Sequence, residues 1–214
     1  MERAGGTLIK RKGDMESNFI AEHFKANGEV VARSAEVLRE PAGRVARALV
    51  EALGAGKKVV AFGNGGSAAQ ASHLVGELLG RFKMTRQPFP AVALASDAGT
   101  VTCITNDFSY EVLFERQVEA LAQAGDIAFG FTTSGRSENV RRGLSKARER
   151  GAVTVAVTGA AGLVGGHADH VVAVPSDVTA HIQELHLMLL HIWCIVIDEE
   201  LGQAIHESRR ESVA

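Results

Sequence analysis

His73 and Glu77 stand four residues apart in the stretch VVAFGNGGSAAQASHLVGE (residues 59–77), just after a glycine-rich turn. That spacing is a little over one helical turn, so an imidazole and a carboxylate leave one face of a helix together. Such a pair can move protons on a substrate or contribute to a metal site. Ahead of it, Gly63-Asn64-Gly65-Gly66-Ser67 turns the chain sharply. Its glycines allow close approach of backbone to a ligand, and a helix opening there offers free N–H groups to an anion. The same residues also fit a nucleotide-type turn followed by a surface His-Glu pair, because such turns are common.

Two further clusters carry polar groups suited to a site. Thr132-Thr133-Ser134-Gly135-Arg136-Ser137 places four hydroxyls and a glycine ahead of a helical segment. Hydroxyls, backbone N–H groups and the helix dipole together suit a phosphate. Ser and Thr are also ordinary helix N-caps, though four hydroxyls exceed what capping needs. No Lys follows the glycine as in a Walker loop. The third cluster runs from Thr179 to His191 and includes His181, Gln183, Glu184 and His186. These residues lie on a helix otherwise as apolar as LHLMLLHIWCIVI, so each histidine there needs a partner. Singly each fits a hydrogen-bonded structural role; combined with His73 and Glu77, imidazoles, a carboxylate and an amide could share one metal ion.

The elements that must position these groups follow from hydrophobic patterning. Short apolar, Val- and Ala-rich runs at 58–62, 90–95, 126–131, 153–158 and 170–174 read as strands. They alternate with helical segments at 67–80, 98–104, 109–123, 136–150 and 179–202. That alternation predicts a parallel sheet covered on both faces, a single doubly wound α/β domain. Ligands in such sheets bind beyond the carboxyl ends of the strands, where the two polar loops fall. Ahead of the first strand, helices are expected at 18–25, 29–39 and 41–53, with Pro41 marking a helix start. The boundaries are a tail at 1–15, N-terminal helices at 16–56, the α/β domain at 57–202 and a second tail at 203–214.

The 214 residues suffice for one sizeable core, and the net charge of -2 argues against nucleic acid or an anionic membrane as partner. Cys103 and Cys194 lie among apolar residues and are expected as buried free thiols. No apolar run of transmembrane length and no signal peptide is evident, so a cytoplasmic setting is the default expectation.

FGNGGSAAQASHLVGELLGRF, TNDF at 105–108, TTSGRSENV at 132–140 and HIQELHLMLLH at 181–191 together resemble the sugar isomerase (SIS) superfamily, and within it the phosphoheptose isomerase family. The resemblance spans about residues 16–202, with the motifs in the family's order. It implies an aldose–ketose isomerase acting on sedoheptulose 7-phosphate through an enediol, for bacterial surface heptose. It also implies a zinc ion held by His73, Glu77, Gln183 and His191, with Glu77 the general base and His191 the general acid. Asn64, Gly65, Gly66, Ser67, Asn106, Asp107, Thr132, Thr133, Ser134, Ser137 and Gln183 fall at substrate-contacting positions, Glu77 among them. A homotetramer with shared active sites would give the N-terminal helices their apolar partner. Departures from the family pattern occur at Gln70, Thr132, Arg136 and His181. The rival reading is a non-catalytic SIS scaffold or regulator, in which the acid–base and metal positions are typically replaced; here they are kept.

Overall fold

Val59–Gly63 (β1), Ala91–Ala93 (β2), Ile127–Thr132 (β3), Val153–Thr158 (β4) and His170–Ala173 (β5) pair into one sheet in the order β2-β1-β3-β4-β5. Every neighbouring pair is parallel. The computed structural model describes residues 12–211, with side chains from residue 18 to residue 202. Sheet order reverses between β1 and β3: the chain goes from β1 outward to β2 and returns to place β3 on the opposite side. That is the switch point of a doubly wound sheet, at whose carboxyl end such sheets bind ligands.

Alternate residues sort the helices onto two faces. Val59, Ala61, Phe129 and Val155 pack with α2 (Arg39–Gly54), α3 (Gly66–Leu79) and α7 (Thr179–Glu211). Val60, Phe62, Ala128 and Ala156 pack with α5 (Leu113–Leu121) and α6 (Glu138–Glu149). A short α4 (Ala98–Asp107) and a 3₁₀ turn (Tyr110–Val112) lead into α5. Both sheet faces are covered, which is why the strands read as continuous apolar runs rather than alternating ones.

Several boundaries differ from those expected. The two helices expected at 18–25 and 29–39 are one, α1 (Lys12–Val37), which passes through Asn27 and Gly28 without a break. Pro41 sits in the first turn of α2, where its missing N–H costs nothing. The tails expected at 1–15 and 203–214 overlap helical backbone at residues 12–15 and 203–211; the remainder lies outside the described residues. Cys103 is exposed rather than buried, because none of α4 is buried, while Cys194 is buried as expected. Contrary to expectation, Thr179–Gly202 has the length and hydropathy of a membrane span. It is the core helix of this fold: Leu190, Trp193, Cys194 and Ile197 are fully buried, and Trp193 Nε1 donates to the Ala42 carbonyl at 3.1 Å.

Candidate active site

α3 and α7 lie side by side on one face of the sheet, and their facing sides carry the ligand-type residues. His73 Nε2 is 3.1 Å from Glu77 Oε1, as the four-residue spacing requires, and 3.2 Å from His191 Nε2 on α7. One donor atom from each of the three lies within 4.8 Å of the others. The Phe82 ring stacks on His191 at 5.5 Å between centroids, and the two imidazoles meet edge to face at 5.1 Å. Residues 118 positions apart thus form one cluster. Two imidazoles and a carboxylate converging from two helices suit a borderline divalent ion, and equally a proton-transferring pair.

Gln183 stands apart from this trio. Its amide lies against Gly66, where a Cβ would come within 2.5 Å of Nε2, at the opposite end of α3. At about 1.5 Å per residue, Gly66 is about 10 Å along the helix from His73. Gln183 and His73 line the same cleft, together with Ala69, Gln70, Glu184 and Leu187.

At the switch point, β1 delivers Asn64 and Gly65. Gly65 takes φ +55 at the N-cap of α3, a conformation that a side chain would strain. Asn64 and Asn139 exchange amide hydrogen bonds at 2.9 and 3.0 Å, and the Tyr110 hydroxyl donates to Asn64 Oδ1 at 2.7 Å. Much of Asn64's hydrogen-bonding capacity therefore fixes the loop. Ser67 is buried at the start of α3.

β3 delivers the hydroxyl loop. Thr132 Oγ1 accepts from Gly135 N at 3.2 Å and lies 3.3 Å from Ser137 Oγ. Ser134 Oγ accepts from Arg136 N at 3.2 Å, leaving its own proton free to donate outward. Ser137 occupies the N-cap position of α6 but makes no capping hydrogen bond, so the plain capping role does not account for it. The Thr133 carbonyl accepts from Gly159 N at 3.1 Å. Asn106 and Asp107 end α4; their side chains bond to each other at 2.8 Å, with the Cys103 thiol 3.5 Å from Asp107 Oδ2. Neither bonds to the trio or to the two loops.

Other groups escaped the sequence reading. Arg86 and Asp198 form an almost fully buried ion pair at 2.7 Å. Asp198 Oδ2 also accepts from Lys83 N and Met84 N, while Arg86 donates to the carbonyls of Glu77 and Leu78. Burial opposes the Asp198 charge, but the Met84 N–H, Arg86 and the Lys83 N–H outweigh it and hold the carboxyl below the usual carboxylate range. His186, flagged with the other histidines, is structural: burial pushes it down to about 4, and its neutral ring bonds to the Thr158 carbonyl at 3.1 Å. Tyr110 had no signal beyond its place two residues after TNDF, and Asn139 lay unremarked inside the hydroxyl motif.

The chain matches the SIS domain family over residues 22–159. It is 48% identical over 177 residues to the phosphoheptose isomerase of Aquifex aeolicus, covering 82% of this chain and 93% of that protein. With the phosphoheptose isomerase of Maridesulfovibrio salexigens it shares 43% identity over 189 residues, covering 88% of this chain and 92% of the relative. Among solved structures, a phosphoheptose isomerase from Francisella tularensis superposes with a TM-score of 0.80 at 34% identity, over 86% of this chain and 98% of its own.

Proposed function

We propose that this chain, which belongs to the phosphoheptose isomerase family of SIS-domain proteins and is a sugar-phosphate isomerase, interconverts sedoheptulose 7-phosphate and D-glycero-D-manno-heptose 7-phosphate. The observation that carries the reading is the meeting of Glu77 and His191 from two helices beside the same His73. Aldose–ketose isomerisation moves a proton between C1 and C2 through an enediol, which needs a base above the carbon and a second group at the oxygens. Glu77 takes the carbon proton, and His191 supplies and removes the proton on the oxygen.

The other groups bind and orient. Ser134, Ser137, Thr132 and Thr133 with the N-terminus of α6 hold the phosphate, and the Asn64–Ser67 turn with Gln183 holds the middle of the sugar. About 10 Å of α3 separates the Gly66 end from His73, a separation that favours a long, extended substrate over a short one. Asn106 and Asp107 remain assigned to substrate by resemblance alone.

The donor set of His73, Glu77 and His191 fits zinc, whereas Gln183, whose amide lies against Gly66, is assigned to the metal by resemblance alone. When bound, a divalent cation polarises the substrate oxygens and stabilises their negative charge. Glu77 bound tightly to a cation is a weaker base, so its carboxylate must be free when it takes the proton. The exposed Met188, Ile192 and Ile195 on α7 and Phe19, Ile20 and Phe24 on α1 support a homotetramer that covers these faces. The product would feed bacterial surface-glycan heptose, lipopolysaccharide core included, from the cytoplasm.

Turnover of sedoheptulose 7-phosphate tests the reading. Glu77→Gln keeps the size of the side chain and removes the base, so kcat falls by about 10²–10⁴. A wild-type protein without turnover would support the scaffold reading instead. Near-normal turnover in Glu77→Gln would remove Glu77 as the base.

A further inference from the structure

A second cluster of ligand-type side chains sits where α1 meets α7; it shares none of the His73, Glu77 and His191 trio, although its Glu184 also lines the cleft beside His73 and Gln183. His23 Nε2 on α1 is 2.8 Å from Glu184 Oε1 on α7, and the rings of His23 and His181 are 4.9 Å apart. One donor atom from each of His23, His181 and Glu184 lies within 4.8 Å of the other two. His181 and Glu184 are three residues apart on α7 and share a face. His181 is buried, while His23 and Glu184 are exposed.

We propose that His23, His181 and Glu184 form a second divalent-metal site that clips α1 to α7. Two imidazoles and one carboxylate select zinc, cobalt or nickel over magnesium or calcium, which prefer all-oxygen shells. Ligands about 2.0–2.1 Å from a tetrahedral ion lie about 3.4 Å from each other. The donor atoms already lie within 4.8 Å of one another, so rotation of the half-exposed His23 and Glu184 side chains around the buried His181 reaches that spacing. A water completes the shell.

The clip has a structural consequence. Among the described side chains of α1 only Val30 and Ser34 are buried, so within a single chain the residue 18–25 stretch is held to the body by little besides this cluster. A bound ion stabilises only the state in which α1 is docked.

The test separates this site from the trio on α3 and α7 by working in full-length His73→Ala, His191→Ala protein. After dialysis against zinc, metal analysis is expected to find one ion per chain, with no competition from excess magnesium. Adding His23→Ala or, separately, His181→Gln weakens zinc binding by more than about 100-fold, since loss of a direct ligand exceeds the 10–100-fold typical of outer-sphere changes. Zinc also raises the unfolding midpoint of the background protein, and His23→Ala abolishes that rise. His23 is exposed, so this variant folds even if the change at buried His181 does not. A background protein that binds no stoichiometric zinc, or that binds it equally well after His23→Ala, overturns the proposal. Neither result bears on whether the isomerase reading is correct.

Discussion

Asp198→Ala is the most informative single perturbation of this fold. Asp198 accepts hydrogen bonds from Lys83 N at 2.8 Å, Met84 N at 2.9 Å and Arg86 Nε at 2.7 Å. Removing it leaves a guanidinium with no exposed surface and two backbone donors without their acceptor. Breaking a buried pair from one side costs about 3–5 kcal/mol, roughly two to three and a half powers of ten in the folding equilibrium. Urea unfolding, compared at constant m, reads that loss directly. Replacing both partners, as in Asp198→Leu with Arg86→Met, is often neutral or stabilising for an isolated buried pair. Here it is not, because the pair also satisfies Lys83 N, Met84 N and the carbonyls of Glu77 and Leu78. The Leu78 carbonyl keeps its bond from Phe89 N, so three groups are orphaned; at about 1–3 kcal/mol each, the double variant loses at least about 3 kcal/mol. The depressed Asp198 carboxyl adds a pH signature: its folded value lies below its unfolded value near 3.9, so its contribution is complete above that pH and is lost as pH falls through the folded value. A double variant as stable as the wild type would refute the reasoning and reduce the clamp to an ordinary ion pair.

Three other outcomes follow from particular contacts. His186 stays neutral when folded but protonates when unfolded, so stability drops by roughly 3 kcal/mol as pH falls from about 6.5 toward 4; His186→Gln flattens that window in unfolding curves taken across it. Gly135→Ala puts a Cβ 1.8 Å from the Gly162 carbonyl oxygen at φ +66, so the hydroxyl loop must shift and kcat/KM for the sugar phosphate falls at least about tenfold, as steady-state kinetics would register. A thiol reagent modifies one cysteine in the native protein and two in denaturant: Cys103 is exposed, whereas burial pushes the Cys194 thiol up to about 12.

The sheet was legible because both its faces are buried. Continuous Val and Ala runs leave little choice of period, and the strand read at 153–158 is β4 to the residue. α1 was misdivided because Asn27-Gly28 reads as a local breaker. One glycine costs only about 1 kcal/mol, and a long helix propagates through it. The trio was legible as residue types but not as a contact, since nothing in the spacing of His73 and His191 says that α3 and α7 adjoin. Tyr110, Asn139, Arg86 and Asp198 were illegible for the same reason. Their roles exist only through partners tens of residues away, and polar residues near loops and helix ends look alike until those partners are known.

The α3–α7 seam shows how one face of an α/β sheet could hold groups to the tolerance that the proposed proton transfer needs. Neither helix bears its functional residues on a loop, so the separation of Glu77 from His191 is set by helix packing. Two polar ties pin the seam along its length. Near its start, Gln70 Nε2 donates to the Gln183 carbonyl at 2.5 Å. At the far end, Arg86 binds the last turn of α3 and Asp198 of α7 together. His191 lies between Gln183 and Asp198 on α7, while on α3 His73 lies between Gln70 and the anchored carbonyls of Glu77 and Leu78, and Glu77 sits at the far tie itself. Side chains bracketed in this way cannot slide without breaking a partly buried hydrogen bond at one end or the other. With Glu77 and His191 as the base and acid proposed above, preorganisation of that kind would spare the reaction the cost of assembling them at each turnover. Damage to the Arg86–Asp198 tie that left the protein folded should therefore lower kcat more than it raises KM, although neither residue belongs to the trio or to the two loops.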